Sequence, residues 1–332
     1  MKKIKVTRIF VALLLCFGSA FAVPANAANT KVKFTVFPAV TASMGVYIAD
    51  QMGFFEKNGI EIQYVNASTG TSATQTLVAG ATDFTISDLT GAANAIKAGA
   101  DLKFVSGQFR YFHGALYCQK EISAAGGYPK NMKNLIGKKI GITGVGAATD
   151  SYTRYSLIRA GVDPKLVTIV PIGGAGSLLA AFQAKSVDCV TAYQPMQLQM
   201  KDASVLVDWQ AGEGPREFGN YSFNAIVTTG AYAKKDLKTV KAVAQSMKDA
   251  VKFAGDSKNS AAIAEKVLKF FPGMTLADLT AVLTSTSGTY SYGISTSNLA
   301  NAQKVFRAVV GPWPIKNNGE LIVTGVRSII LK

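Results

Sequence analysis

Short apolar segments alternate with helical segments along most of this chain, and this alternation constrains the fold more than any other feature of the sequence. The predicted strands of the first part are 32–37, 60–65, 83–87 and 102–107, with predicted helices at 43–52, 71–79 and 90–97. From residue 114 onward the predicted strands are 115–119, 139–143, 167–172, 187–193 and 221–228, with helices at 147–160 and 177–184. Such alternation is typical of α/β proteins whose mostly parallel sheets are covered by helices.

The remainder of the chain has a helical pattern. The predicted helices are 235–253, 261–271, 276–284 and 297–310. No repeat of 20–50 residues is present, which argues against solenoids and propellers. The sequence therefore predicts two α/β units followed by a helical C-terminal part.

The first 27 residues read as a secretory signal peptide. Residues 1–8 carry four cations and no acid, residues 9–23 are apolar, and Ala25-Asn26-Ala27 is a small-residue cleavage motif. We expect cleavage after Ala27, with Ala20-Phe21-Ala22 as a second candidate and an uncleaved anchor as the alternative. Leu15 precedes Cys16, where a lipoprotein signal needs a small residue. We therefore expect an exported, periplasmic protein without a lipid anchor.

Composition excludes several classes of site. The 332 residues include one histidine and three cysteines, of which only Cys118 and Cys189 follow the predicted leader. A dedicated His/Cys metal site is therefore not expected, and we expect no cofactor. The net charge of +15 comes partly from the leader and otherwise largely from lysines that alternate with acids along the helical tail. That pattern favours solvated helix faces over a nucleic-acid site.

Six predicted strands end in loops that are rich in small polar residues and that open helices or turns. They are 38–43, 66–72, 87–91, 143–150, 173–177 and 193–195. Ligands of open parallel sheets bind outside the carboxyl ends of the strands, and free N–H groups at helix N-termini attract anions. The alternative is that these residues only cap their helices. The recurrence of such loops in both units favours a shared cleft.

Three further residues have two readings each. Arg110 and His113 lie in an aromatic segment between the two units, where Arg110 suits an anion and His113 suits a cleft wall. The alternatives are that Arg110 braces the segment by pairing with an acid and that His113 is a structural histidine. Asp88 is either a helix cap or an acceptor for a ligand amino or amide group.

Gly144 and Gly146 do not begin a nucleotide fingerprint, because Thr149 occupies the place of its third glycine.

Several segments resemble one known family. Residues 45–60 (GVYIADQMGFFEKNGI), 77–84 (LVAGATDF), 98–103 (AGADLK) and 135–141 (LIGKKIG) follow one another in the order and spacing of that family. It comprises periplasmic solute-binding proteins of ABC importers in the NMT1/THI5-like group, which serves nitrate, sulfonates, taurine and pyrimidine precursors. The resemblance covers nearly all of the chain after the leader.

The resemblance implies a type II periplasmic-binding fold with two Rossmann-like lobes and a hinge. Lobe I would comprise residues 28–110 and 224–332, and lobe II residues 111–223. The ligand contacts of the family fall on Thr41, Ser43, Thr71, Ser72, Ser87, Asp88, Ala147, Ala148, Thr149 and Tyr193. The resemblance also implies a disulfide between Cys118 and Cys189. The turn Ser87-Asp88-Leu89-Thr90 departs from the Gly-Asp-Ala-Pro type of the sulfonate branch, so neither sulfonate nor nitrate is assigned.

The function expected from these observations is capture of a small anionic or aromatic organic solute between two lobes, followed by delivery to an ABC permease in the inner membrane. The protein would be a monomer, would bind no nucleic acid and would not be an enzyme. Two alternatives remain open from the sequence: an enzyme that resembles the pyrimidine-precursor synthases of the same fold, and a sensory ligand-binding module.

Overall fold

The computed structural model describes residues 29–330, so the predicted leader and its cleavage site lie outside the described residues. The strands are β1 (Thr30–Val36), β2 (Ile60–Asn66), β3 (Thr85–Ser87), β4 (Leu102–Phe109), β5 (Gly114–Cys118), β6 (Lys139–Ile142), β7 (Thr168–Pro171), β8 (Cys189–Tyr193), β9 (Ser204–Asp208) and β10 (Asn224–Thr229). The helices are α1 (Met44–Gln51), α2 (Phe54–Lys57), α3 (Gly70–Val78), α4 (Leu89–Lys97), α5 (Ala148–Arg159), α6 (Ala175–Gln183), α7 (Gly230–Lys235), α8 (Leu237–Ala254), α9 (Ser260–Val267), α10 (Leu276–Thr286), α11 (Thr296–Val309) and α12 (Arg327–Ile330).

The strands form two five-stranded arrangements with the same plan. In the first, β1 pairs with β2 and β10 pairs with β3 and β4, and a parallel bridge between Phe34 and Phe84 joins the two parts in the order β2-β1-β3-β10-β4. The second has the order β7-β6-β8-β5-β9. In each arrangement four strands run in one direction and the fourth in spatial order, β10 or β5, runs against them.

The antiparallel strand in each sheet results from the path of the chain. The chain leaves the first sheet after β4 and enters the second through β5, and it returns after β9 through β10. Residues 110–113 therefore form the first crossing and residues 209–223 the second. The predicted parallel direction holds for the other strands, but each sheet receives one reversed strand from a crossing.

Aromatic side chains hold the two crossings together. Phe112 of the first crossing lies between Tyr152 of α5 and Phe223 of the second, with ring centroids 4.8 Å from each. Tyr152 in turn stacks on Phe218 at 3.8 Å. All four rings are buried, so their close packing fixes both crossings against the first turns of α5.

The tail helices pack onto the first sheet. Helix α8 buries one stripe, which includes Val240, Val243, Met247 and Val251, against α1 and β4. This spacing places apolar residues on one side of a 3.6-residue helix. Helix prediction from residue 235 missed an interruption at Asp236, whose carboxylate accepts from the Thr239 N–H at 3.0 Å and thereby starts α8 separately from α7.

Strand β9 is not among the strands that the sequence predicts. Its segment contains only three consecutive apolar residues between polar ones. It becomes a strand because it pairs with β5 at the edge of the second sheet, so a tertiary contact decides its conformation.

The structure links Cys118 of β5 to Cys189 of β8 by a disulfide. The two residues lie directly opposite each other in the antiparallel register, and both are fully buried. The bond closes a loop over a sequence separation of 71 and joins the strand of the first crossing to the parallel part of the second sheet.

Reduction of this disulfide is expected to lower the free energy of unfolding by about 2–4 kcal/mol, because the unfolded chain regains the freedom of a long loop. Urea unfolding of the oxidised and the reduced protein measures the difference. The double variant Cys118→Ala/Cys189→Ala is the control and should show no response to reductant. Equal midpoints for the oxidised and reduced wild type would contradict the expectation.

Candidate functional site

A cleft of about 580 Å³ lies where the six predicted strand-end loops meet. Its wall is formed by residues 37–40, 42, 66–70, 86–88, 143, 147–148, 174–177, 193 and 223–224. Three of the loops follow β1, β2 and β3 of the first sheet, and three follow β6, β7 and β8 of the second. The carboxyl ends of both sets of parallel strands therefore face one space, which is where the doubly wound topology places ligands.

Two helices of the second unit begin at this cleft without side-chain caps. The N-caps of α5 and α6 are Ala147 and Gly174, neither of which offers a side-chain acceptor to the first N–H groups. In the first unit, by contrast, Thr69 caps α3 and Asp88 caps α4. Because the first N–H groups of a helix have no intrahelical partner, α5 and α6 present donors to the cleft. The first turn of α6 contains no acid, so this helix also presents a positive dipole end, whereas Asp150 lies in the first turn of α5.

Glycine is required at residue 174 by the close approach of the two units. A Cβ atom at Gly174 would lie 2.9 Å from the backbone oxygen of Ser68, which belongs to the loop after β2. No real Cβ tolerates such a contact without movement of the backbone. The same residue thus allows the rim of the cleft to close tightly and leaves the N-terminus of α6 uncapped.

Asp88 is both a helix cap and part of the cleft wall. One carboxylate oxygen accepts from the N–H groups of Thr90 and Gly91 at 3.1 Å each and from the Thr90 hydroxyl. Burial raises the pKa of Asp88 above its ordinary value, while these hydrogen bonds act in the opposite direction. The two readings of this residue from the sequence are therefore compatible: one oxygen caps α4, and the side chain still borders the cleft.

Tyr193 closes the side of the cleft formed by the second sheet. Burial raises its pKa to about 12, so its hydroxyl is protonated at neutral pH. The neighbouring Thr143 and Thr149 side chains act on this pKa in the opposite direction. Thr149 is fully buried and accepts from the Thr143 N–H at 3.0 Å, so it shapes the loop after β6 from behind the wall.

The cleft wall carries no cationic side chain. Among the residues that line it, Asp88 and Tyr193 are the only titratable ones. An anion in this space would be held by backbone N–H groups and by hydroxyls such as those of Ser68 and Ser177. Phe37, Tyr193 and Phe223 supply aromatic surface.

Of the predicted site residues, Ser87, Asp88, Ala147, Ala148 and Tyr193 line the cleft. Thr41 and Ser43 lie behind it: the Thr41 N–H donates to the Gln194 oxygen at 3.1 Å, and the Ser43 hydroxyl oxygen accepts from the Phe37 N–H at 2.6 Å. Both hold the loop after β1 in place.

Thr71 and Ser72 lie at the start of α3, outside the cleft wall. The Thr71 hydroxyl donates to the Val145 oxygen at 3.1 Å, which links the loops of the two units. Ser72 completes a capping box with Thr69. Thr71 also lines a neighbouring groove of about 520 Å³ between α3 and α4.

The first crossing places Arg110 and His113 away from the cleft. His113 is buried against Phe109, and its Nε2 lies 2.5 Å from the Thr289 hydroxyl. Because that hydroxyl donates to the Thr286 oxygen at 2.6 Å, Nε2 is the donor to Thr289. Arg110 is exposed beside the Tyr111 ring, and no acid within residues 29–330 forms an ion pair with it.

Four residues of the wall lie outside the predicted strand-end loops: Phe37, Ile86, Phe223 and Asn224. Phe37 follows β1 directly, and its position one residue before the polar loop was the available signal. Phe223 and Asn224 belong to the second crossing, and only the return of the chain into the first sheet brings them to the cleft.

The described residues, 29–330, contain neither a cluster of metal ligands nor a membrane-spanning helix. No three His, Cys, Asp or Glu side chains are grouped there so that they could hold a metal ion. None of the helices in the same range combines the length and apolar character needed to span a bilayer.

The buried His113 should make stability depend on pH. Burial lowers its pKa to about 3, from an ordinary value of 6.5. The unfolded chain therefore binds more protons between these pH values, and the folded state loses stability as pH falls below about 6.5, at about 1.4 kcal/mol per pH unit.

Urea unfolding at pH 7, 6 and 5 measures this dependence. His113→Gln should flatten the slope below pH 6.5, whatever its stability at pH 7. The chain has one histidine, so the difference in slope between wild type and variant isolates this residue. Identical slopes would show that His113 is not buried as a neutral ring.

Comparisons with known proteins support the assignment of the fold. A protein from Bordetella bronchiseptica RB50 superposes with a TM-score of 0.76 and 18% identity, over 91% of this chain and 94% of that chain. The alkanesulfonate-binding protein SsuA from Xanthomonas axonopodis pv. citri, bound to MOPS, gives 0.68 and 18%, over 85% and 91%. The periplasmic nitrate-binding protein NrtA from Synechocystis PCC 6803 gives 0.66 and 13%, over 92% and 86%. These likenesses establish the type II periplasmic-binding fold.

No curated protein matches the chain significantly. One family model, however, matches its sequence. The model described as NMT1/THI5 like matches residues 40–261, which is more than half of the chain and includes all of the cleft wall except residues 37–39. The chain therefore belongs to the NMT1/THI5-like family.

Proposed function

We propose that this protein is the extracytoplasmic solute-binding component of an ABC importer. The observation that carries the proposal is the cleft, in which two uncapped helix N-termini and the ends of six parallel strands face one space. Such a site is built to hold a small molecule through backbone donors. Structural relatives named as alkanesulfonate-binding and nitrate-binding proteins add support.

The solute we propose is a small organic molecule with an anionic group. The N–H groups at the starts of α5 and α6 would hold that group, because no cationic side chain lines the cleft. The aromatic residues Phe37, Tyr193 and Phe223 would contact an apolar or aromatic part of the same molecule. Asp88 lies on the opposite wall of the cleft. Its carboxylate would disfavour a second negative charge on the solute and would favour a hydrogen-bond donor of the solute beside it.

The two sheets support a division into lobes. We propose lobe I at residues 28–110 and 224–332 and lobe II at residues 111–223, with the two crossings as the hinge. Loops of both lobes line the cleft, so closure of the lobes would enclose the solute. We further propose cleavage after Ala27, a periplasmic location, a monomeric state and delivery to an inner-membrane permease. The protein would capture its solute without transforming it.

The substitution Gly176→Trp tests the cleft. Gly176 lines the cleft, and a Cβ atom there would have no neighbour within 4 Å, so the indole enters open space without disturbing the fold. Solute identified by native mass spectrometry of the purified protein, or by a thermal-shift screen, should bind the variant at least about a hundredfold more weakly. Calorimetric titration measures the affinity.

Gly288→Trp is the matched control. Gly288 is likewise open to solvent but lies outside the cleft, so this variant should bind the solute like the wild type. Unchanged affinity in Gly176→Trp would refute the cleft as the binding site. Conversion of the solute by the wild type would refute capture without catalysis.

A further inference from the structure

A second polar cavity lies at the crossings, on residues that the solute cleft does not use. We call this cavity, of about 180 Å³, the crossing pocket. Its wall includes Arg110, Asn220, Ser222, Ser291, Ser295 and Asn298. Arg110 belongs to the first crossing, and Asn220 and Ser222 belong to the second. The other three residues lie in the segment that leads into α11 and at the start of that helix.

Arg110 gives this pocket an uncompensated positive charge. No Asp or Glu lines the pocket. Within the described range, the Arg110 guanidinium forms no ion pair or side-chain hydrogen bond, and its contact is the Tyr111 ring at 5.9 Å. The pocket also lies at the N-terminus of the 14-residue helix α11, whose dipole adds positive potential.

The acceptors of the pocket are already used by its own side chains. The Asn298 amide donates to Asn220 Oδ1 at 2.7 Å, and Asn298 Oδ1 accepts from the Ser295 N–H at 2.7 Å and the Ser295 hydroxyl at 2.8 Å. These bonds fix the two amides with their oxygens turned toward protein donors.

Three donor groups of the pocket, by contrast, have no side-chain acceptor within the described residues: the Arg110 guanidinium and the hydroxyls of Ser222 and Ser291. Ser222 is only 1% exposed, and its buried hydroxyl has no hydrogen-bond partner. A buried hydroxyl without a partner costs about 1–3 kcal/mol, so a ligand that accepts from it is favoured. The Ser291 backbone N–H is bound to the Gln108 oxygen, which holds the segment before α11 against β4 and leaves its hydroxyl at the pocket.

We propose that the crossing pocket binds a small oxyanion of the sulfate or phosphate class. The planar guanidinium of Arg110 suits two oxygens of such an ion at once. The hydroxyls of Ser222 and Ser291 supply neutral donors, and the N-terminus of α11 supplies the dipole. The ion would join the two crossings and the tail, three stretches that are far apart in sequence.

Sulfate titration of the full protein tests the site. Melting temperature is measured against sodium sulfate at constant ionic strength, with sodium chloride as the balancing salt, and calorimetry gives the affinity. The wild type should show saturable stabilisation, as expected for an ion that binds the folded state. Phosphate should compete with sulfate, whereas chloride should not.

The substitution Arg110→Gln should weaken sulfate binding at least tenfold. Arg307→Gln removes the same charge from the far end of α11, where Arg307 is exposed, and should stay within twofold of the wild type. Ser291→Ala serves as the second variant should Arg110→Gln fail to fold, and it should weaken binding severalfold. The proposal is overturned by the absence of saturable stabilisation in the wild type or by equal losses in Arg110→Gln and Arg307→Gln.

The blocked-cleft variant Gly176→Trp separates the two sites. It should keep the sulfate affinity of the wild type while it loses the solute. Loss of sulfate binding in Gly176→Trp together with its retention in Arg110→Gln would place the ion in the cleft and overturn the crossing pocket. The proposed solute function would be unaffected by that result, because its own test uses the solute.

Discussion

The two crossings of the chain between the sheets, which supply each sheet with its one reversed strand, are the constraint on which the rest of this structure depends. Strand β10 pairs on both sides within the first sheet, and β5 pairs on both sides within the second. A strand in the interior of a sheet must find hydrogen-bond partners on both edges. Neither sheet is therefore complete without the segment that the crossings deliver, and the two sets of strand ends are held facing each other.

This arrangement explains how the cleft acquires hydrogen-bond donors although its wall has no cation. The excess of basic residues belongs elsewhere in the chain, and the donors at the cleft are backbone N–H groups of α5 and α6. Such donors keep a fixed position and do not titrate. They also lose no side-chain entropy when a ligand arrives, which a lysine or arginine in the same place would.

Much of the fold was predictable because its signals are local. Apolar runs, small polar strand ends and helix stops are written in neighbouring residues, and the loops at 38–43, 66–72 and 173–177 do meet at one cleft. The features that escaped prediction depend on distant partners. Strand β9 needs β5, Asn224 reaches the cleft through the second crossing, and the contact of Arg110 with the crossing pocket needs the segment before α11.

In the candidate site, residue type alone does not separate the side chains that line the cleft from those that support it. Asp88 and Tyr193 line the cleft, whereas Thr41, Ser43 and Thr149 support it from behind through hydrogen bonds to neighbouring backbone and hydroxyl groups. A hydroxyl in a polar loop suits both roles, and only the direction of its side chain separates them. That direction is set by packing rather than by the loop sequence.

The tight approach of Gly174 to Ser68 has a geometric consequence for the cleft as a whole. At this point the two units meet backbone to backbone, with no side chain between them. A side chain at residue 174 would have to push the two rims apart at this point or displace the backbone of Ser68. Glycine here therefore lets the cleft be narrower at this rim than any other residue would allow.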